Sequence, residues 1–314
     1  MSMRKNLIVV MDDISLIKIA KDTSFAMLLE GRRRGYALFY MNEDGLSLAG
    51  GEARAAMRPV RVREDAEDWF TLGAEVERGL GPDDLVLMRS DPPVDADYVF
   101  ATYLLEQAER QGALVVNRPQ ALRDFNEKLA IARFPDLMPA TRVSARSADL
   151  KRFVHEQGRA VLKPLDGMGG RSIFLTRADD PNLNVILETL TDGGRHLAIA
   201  QQFLPEIDQG DKRILIVNGR PVPYLLARIP TGDDFRGNLA KGGRGEGRPL
   251  SDSDRRIAET VGPVLLEHGI VFAGLDVIGE RLTEINVTSP TCVRELDAEF
   301  GLNIIGDLFD AIDP

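Results

Sequence analysis

Through its first third the chain alternates short apolar runs with stretches of helical spacing, and the alternation stops at Arg118-Pro119. Residues 7–11 read as a buried strand, 24–34 as a helix stopped by Gly35, and 36–41 as a second strand. Short strands are expected around Gly50-Gly51 within 46–63, and a helix carrying Trp69 and Phe70. A strand over 85–88, a helix over 97–111 closed by Gly112 and a strand over 114–117 complete the series. Strands alternating with helices call for a mostly parallel, covered sheet.

Beyond Pro119 the pattern changes to hairpins mixed with helices, which is α+β architecture. Residues 122–134 read as a helix, and 160–163 as a short strand running into KPLDGMGG. Residues 172–176 are strand-like and 183–190 helical. Strands over 197–203 and 213–217 follow, the second turning at Asn218-Gly219, the strongest short hairpin signal, into 222–229. A glycine-rich stretch over 232–247 precedes a helix over 252–267 stopped by Gly269. A hairpin pairs 272–278 with 282–287, and the tail from 301 to 312 is helical.

Bulk properties remove several classes of function. A length of 314 residues exceeds one small core and suggests two or three packed units. The net charge of −10 disfavours a nucleic-acid surface, which needs a basic face. One cysteine, Cys292, forms no intrachain disulfide, and with three histidines it leaves little for a zinc site; a reducing cytoplasm fits. The apolar run near the start is broken by Asp12 and Asp13, short of the roughly 7–15 residues of a signal segment. Nothing approaches the roughly 20 apolar residues of a membrane span.

Asp276, Glu284 and Asn286 carry the most specific chemistry. Residues two apart on a strand share a face, so Glu284 and Asn286 look the same way. A turn centred on Glu280 sets Asp276 opposite Glu284 on that face. Two carboxylates and an amide oxygen suit Mg²⁺, which shares its ligands with phosphates. Periodicity alone favours a plainer reading, an amphipathic hairpin with Leu275, Val277, Ile285 and Val287 buried and the acids in water.

The glycines of KPLDGMGGRS free a loop to bring N–H groups onto phosphate oxygens, with Lys163 at its edge; an ordinary turn with a surface lysine reads equally well. Neither the P-loop nor the dinucleotide spacing is present. Arg213 and Arg228 alternate with apolar residues on adjacent strands, where they snorkel or clamp an anion. Lys241 and Arg244 lie in GNLAKGGRGEG, a candidate lid or a surface loop. Hydroxyls in Thr288-Ser289-Pro290-Thr291 are placed to meet a carboxylate.

Taken together, KDTSFAMLLE, RRGY, LMRSDPP, NRPQALRDFNEKL, LKPLDGMGGRSIF, GDKRILIVNGRPVPYLLARIP, NLAKGGRGE and GLDVIGERLTEINVTSPTC resemble the bacterial glutathione synthetases of the ATP-grasp ligases, in family order and almost end to end. The resemblance implies an N-terminal α/β domain (1–121) followed by an ATP-grasp α+β unit of two subdomains (122–203 and 204–314). It implies two steps. ATP phosphorylates the C-terminal carboxylate of γ-glutamylcysteine, and glycine then displaces phosphate from the acylphosphate to give glutathione.

Roles carry over to matching positions. Lys128 and Lys163 would contact ATP phosphates under the loop of Gly167, Gly169 and Gly170, and Gln201, Gln202, Phe203 and Leu204 would line the adenine site. Asp276, Glu284 and Asn286 would hold Mg²⁺, as two ions that Mn²⁺ can replace. Arg213 and Arg228 would stabilise the transferring phosphoryl group. Arg89, Ser289, Thr291 and Arg244 would meet the dipeptide or glycine, and residues 229–244 would form the lid. The resemblance further implies a cytoplasmic homo-oligomer acting on small molecules, with no nucleic-acid or membrane partner. A D-alanine–D-alanine ligase, a protein-tail ligase or a non-catalytic ATP-binding module would share the lysines; the N-terminal segments, paired arginines and SPT turn favour glutathione synthetase.

Overall fold

A computed structural model describes residues 5–167, 169–231 and 244–313. The first eight strands are β1 (Asn6–Val10), β2 (Ala37–Met41), β3 (Leu46–Ala49), β4 (Glu52–Val62), β5 (Phe70–Leu72), β6 (Val76–Gly79), β7 (Asp84–Met88) and β8 (Leu114–Val116). They form one sheet along the path β3-β4-β2-β1-β7-β8, with β5 and β6 paired to β4. β1 is parallel to β2 and β7, and β7 to β8, as the alternating pattern requires, but β4 joins β2, β3, β5 and β6 antiparallel, so the sheet is mixed and not mostly parallel. Helix α1 (Thr23–Arg34) follows β1 because Asp22 caps Phe25 N at 2.7 Å, and it ends where Gly35 turns left-handed at φ 85°. Helix α2 (Ala96–Arg110) links β7 to β8. The carboxyl ends of β1, β7 and β8 therefore open on one crevice, the usual place for a site in such sheets.

Helix α3 (Pro119–Asp124) leads out of this unit. Strands β9 (Thr141–Ser144), β10 (Arg159–Pro164), β11 (Phe174–Arg177) and β12 (Ala198–Gln202) make an antiparallel sheet in the order β11-β10-β12-β9. It packs on α4 (Ser147–Gln157) and α5 (Leu183–Thr191) through Leu150, Val154, Leu162 and Leu187. The last sheet runs β15-β14-β13-β16-β17, from β13 (Asp211–Val217), β14 (Arg220–Ile229), β15 (Arg244–Pro249), β16 (Phe272–Ile278) and β17 (Arg281–Asn286). Helix α6 (Asp252–Glu267), with a capping box between Ser251 and Asp254, packs on β13 and β14. α7 (Val293–Phe300) and α8 (Ile304–Ile312) close the chain. An α/β unit followed by α+β sheets is the expected fold class.

Four local expectations are corrected. Trp69 and Phe70 do not begin a helix: β4 runs eleven residues, and its second half offers an edge that Phe70 joins opposite Val62. The helix expected over 122–134 breaks after Asp124, because Asn126 Oδ1 accepts Lys128 N and Leu129 N, each at 3.1 Å. The glycine-rich stretch resumes as strand from Arg244, paired with Ile229; residues 232–243, including Lys241, lie outside the described residues. The helical tail is preceded by α7, which ends at left-handed Gly301, φ 66°.

Candidate active site

The β16–β17 hairpin decides whether its acids meet. The turn is the two residues Gly279-Glu280, a geometry that by itself would set Asp276 against Thr283. A bulge at Thr283 absorbs one residue, so Asp276 pairs with Glu284 and Gly274 with Asn286. Arg213 stands opposite Asp276 on β13, and Asp211 opposite Arg228 on β14. Directly opposed residues share a face, so Arg213, Asp276 and Glu284 form a row across three strands. Leu275, Val277, Ile285 and Val287 are fully buried on the other face. The apolar half of the hairpin is as expected, but the acids are not bathed in water: Asp276 is 4% exposed.

This row forms one wall of a cavity of about 570 Å³ that is also lined by Lys128, from the segment after α3, by Lys163 on β10, and by Gly167, Gly169 and Gly170 in the loop after β10. Gln201, Gln202, Phe203 and Leu204, at the end of β12, line it too, as do Ser289 and Thr291. Freed from a helix by Asn126, Lys128 Nζ donates to Gly167 O at 2.5 Å, while Lys163 Nζ reaches Glu284 Oε1 at 2.7 Å. Asp276 accepts Arg213 Nε at 2.5 Å and Nη2 at 3.0 Å, and lies 2.9 Å from Arg228 Nη2. Arg228 also meets Asp211 Oδ2 at 2.5 Å.

Burial opposes every one of these charges, and the partners decide the balance. Asp276 stays well below the ordinary carboxylate range because Arg213 and Arg228 overcome its desolvation. Lys163 and Lys128 do the same for Glu284. Asp211 has less compensation: burial and the neighbouring acids push it up to about 6 despite Arg228.

Arg89 and Arg244 are not among the lining residues. Arg89 is buried behind the cavity wall, donating to Ser24 Oγ at 3.2 Å, Thr288 O at 3.4 Å and Pro290 O at 3.0 Å, and desolvation lowers it to about 10. It supports the turn that bears Ser289 and Thr291. Arg244 is exposed at the sheet edge, 2.9 Å from Glu246 Oε2.

Two residues escaped sequence reasoning. Glu127 lines the cavity, accepts Thr288 Oγ1 at 3.0 Å, and is pushed up to about 7 by burial and by the Glu284 charge. Gly274 lets Arg213 lie flat: an added Cβ would stand 2.7 Å from Arg213 Cδ. A glycine inside a strand pattern signals such a close approach; nothing in the sequence marked Glu127.

The donor set fits a hard cation. Asp276, Glu284 and Asn286 offer oxygen only, and Asn286 spends its Nδ2 on Gly274 O at 3.2 Å, leaving Oδ1 for a ligand. Asp276 and Glu284 are already held by cationic side chains, so an ion here must come with anionic groups for those side chains to meet.

Comparison with known proteins agrees with the geometry. A prokaryotic glutathione synthetase N-terminal domain matches residues 5–123, and a prokaryotic glutathione synthetase ATP-grasp domain matches residues 127–301. The chain is 64% identical to the glutathione synthetase of Xanthomonas campestris pv. campestris, over 99% of this chain and 98% of that protein. It is 58% identical to that of Xylella fastidiosa strain 9a5c, over 98% of each. Among solved structures, the ATP-grasp ligase PsnB complexed with minimal precursor, Mg and ADP superposes with a TM-score of 0.60 at 16% identity, covering 98% of this chain and 96% of that one. That likeness establishes the ATP-grasp fold, and the family matches establish more: the chain belongs to the prokaryotic glutathione synthetases.

Proposed function

We infer that the chain is an ATP-dependent ligase that joins glycine to the C-terminal carboxylate of γ-glutamylcysteine, releasing ADP and phosphate. The observation that carries this is the row Arg213–Asp276–Glu284 lining one cavity together with Lys128 and Lys163, in a chain 64% identical to a glutathione synthetase. A carboxylate is a poor acyl donor until phosphorylated. The transferring phosphoryl group spreads negative charge over its oxygens, and fixed cations in a dry site lower that barrier.

Lys128 and Lys163 hold the ATP phosphates, with Gly167, Gly169 and Gly170 over them, and Gln201 to Leu204 line the adenine site. Arg213 and Arg228 stabilise the phosphoryl group and the acylphosphate. Ser289 and Thr291 orient the acceptor carboxylate, on a turn that Arg89 holds from behind. Asp276, Glu284 and Asn286 would hold magnesium. When bound there, magnesium neutralises phosphate oxygens; two ions, replaceable by Mn²⁺, are proposed on the resemblance. Residues 1–121, 122–203 and 204–314 are proposed as the working units, each contributing one sheet. A cytoplasmic homo-oligomer is proposed on the same resemblance; among the described residues no helix is long and apolar enough to cross a membrane.

The test is phosphate release. It should require ATP, Mg²⁺, γ-glutamylcysteine and glycine together. ATP binding without release that depends on both the dipeptide and glycine overturns this function.

A further inference from the structure

Asn117 sits where the first sheet ends, one residue past β8, and is 4% exposed. An amide side chain can donate twice and accept twice. Asn117 does all four, and every partner lies on β16 or within one residue of β16 or β17. Its Oδ1 accepts Val271 N at 2.8 Å and Phe272 N at 3.0 Å. Its Nδ2 donates to Phe272 O at 2.7 Å and to Val287 O at 2.8 Å.

The two donations join different strands. Phe272 opens β16, and Val287 directly follows Asn286 at the end of β17. The last backbone pair between these strands is Gly274 with Asn286, so beyond it the ladder supplies no further rung. The Asn117 amide nitrogen stands in for that rung, bridging the two carbonyls from a third chain segment. It thereby fixes the separation of the strands at the end where Asn286 faces the cavity and the Thr288–Thr291 turn departs. The same turn is held from the other side by Thr288 Oγ1 on Glu127 and by the carbonyls that Arg89 grips. Few other side chains serve here. Aspartate presents oxygens to two carbonyl oxygens, serine has one donor and is shorter, and leucine has none.

We propose that Asn117 is a positioning residue for the ligation, acting through the Phe272 and Val287 backbone to set Asn286 and the Ser289–Thr291 turn. It is not among the residues that line the cavity. The proposal rests on the reading of the site given above.

The test compares Asn117→Ser and Asn117→Asp with Val86→Ala, a core change on β7, the neighbouring strand, that leaves the four Asn117 bonds in place. Thermal midpoints are measured first, and all other readings are taken where each protein is fully folded. Mn²⁺ binding in the presence of ADP is read by water-proton relaxation, and kcat and KM for glycine and the dipeptide by phosphate release. Asn117→Ser should raise the Mn²⁺ dissociation constant and the glycine KM about tenfold or more, while Val86→Ala leaves both within twofold at a comparable midpoint. An Asn117→Ser protein with a lowered midpoint and wild-type Mn²⁺ affinity and KM overturns the proposal. If neither Asn117 variant folds, hydrogen exchange on the wild-type chain decides. Coupling is reciprocal, so Mn²⁺ with ADP should slow the Val271 and Phe272 amides at least tenfold more than the Val86 amide; equal slowing overturns it. Wild-type protein that shows no release dependent on both the dipeptide and glycine would instead overturn the proposed function, which keeps the two failures apart.

Discussion

Arg213 grips Asp276 from the neighbouring strand with two bonds, Nε to Oδ1 at 2.5 Å and Nη2 to Oδ2 at 3.0 Å. The cation proposed to meet the phosphoryl group is thus aimed by the acid proposed to hold magnesium. A lysine cannot reproduce this fork, because its three donors radiate from one point. Arg213→Lys should keep the fold and cut kcat about 100–1,000-fold, the range for loss of one preorganised donor, with KM for ATP within a few-fold. Steady-state phosphate release checks this, and a kcat within threefold of wild type removes Arg213 from the phosphoryl step.

Gly274 tests the same aim without removing a charge. A methyl group there would lie 2.7 Å from Arg213 Cδ and 3.1 Å from Pro290 Cβ. Arg213 must then lift away from Asp276. Gly274→Ala is expected to lower kcat at least tenfold and to cost about 1–3 kcal/mol of stability, as overpacking does. Thermal unfolding and turnover at one temperature separate the two effects.

Glu284 and Asn286 carry the metal prediction. Glu284→Gln paired with Asn286→Ala should raise the Mg²⁺ concentration for half-maximal turnover by about 10–100-fold or more, since weaker outer-shell changes already reach that range. A magnesium titration of phosphate release is the check. Unchanged half-saturation means that the ion binds elsewhere.

Glu127 gives a pH dependence. Burial and the Glu284 charge raise it to about 7, from an ordinary 4.5. Between those values the folded chain binds a proton that the unfolded chain has lost. The contribution of Glu127 to stability is therefore whole below pH 4.5 and lost as pH rises through about 7. Glu127→Gln, which keeps an acceptor for Thr288, should unfold at higher denaturant than wild type at pH 8 and match it below pH 4.5. Denaturant midpoints across pH, without nucleotide or metal, test this; parallel curves rule it out.

Much of the fold was legible because its boundaries are chemical. Gly35 and Gly269 mark the ends of α1 and α6 with φ 85° and 83°, and Asn218-Gly219 turn with φ 48° and 75°, the backbone those residues tolerate best. The site was harder to read. The register of Asp276 on Glu284 depends on the bulge at Thr283, whose hydroxyl bonds back to Asp276 O at 3.1 Å, a tertiary choice with no local signal. Arg89 lies beside the site in sequence logic, yet its direction is set by carbonyls about two hundred residues away. Phe70 went to a strand, with Trp69 just before it, because β4 was longer than its pattern suggested, an edge that no window around residue 69 contains.

The one cysteine of the chain, Cys292, lines the cavity yet is only 1% exposed, and burial raises its thiol above the usual value. Disulfide exchange needs an accessible thiolate. An enzyme whose acceptor and product both carry sulfhydryls thus presents almost no thiol of its own to their oxidised forms. It can work amid mixed disulfides without becoming one, and should keep its activity through storage in air without added reductant.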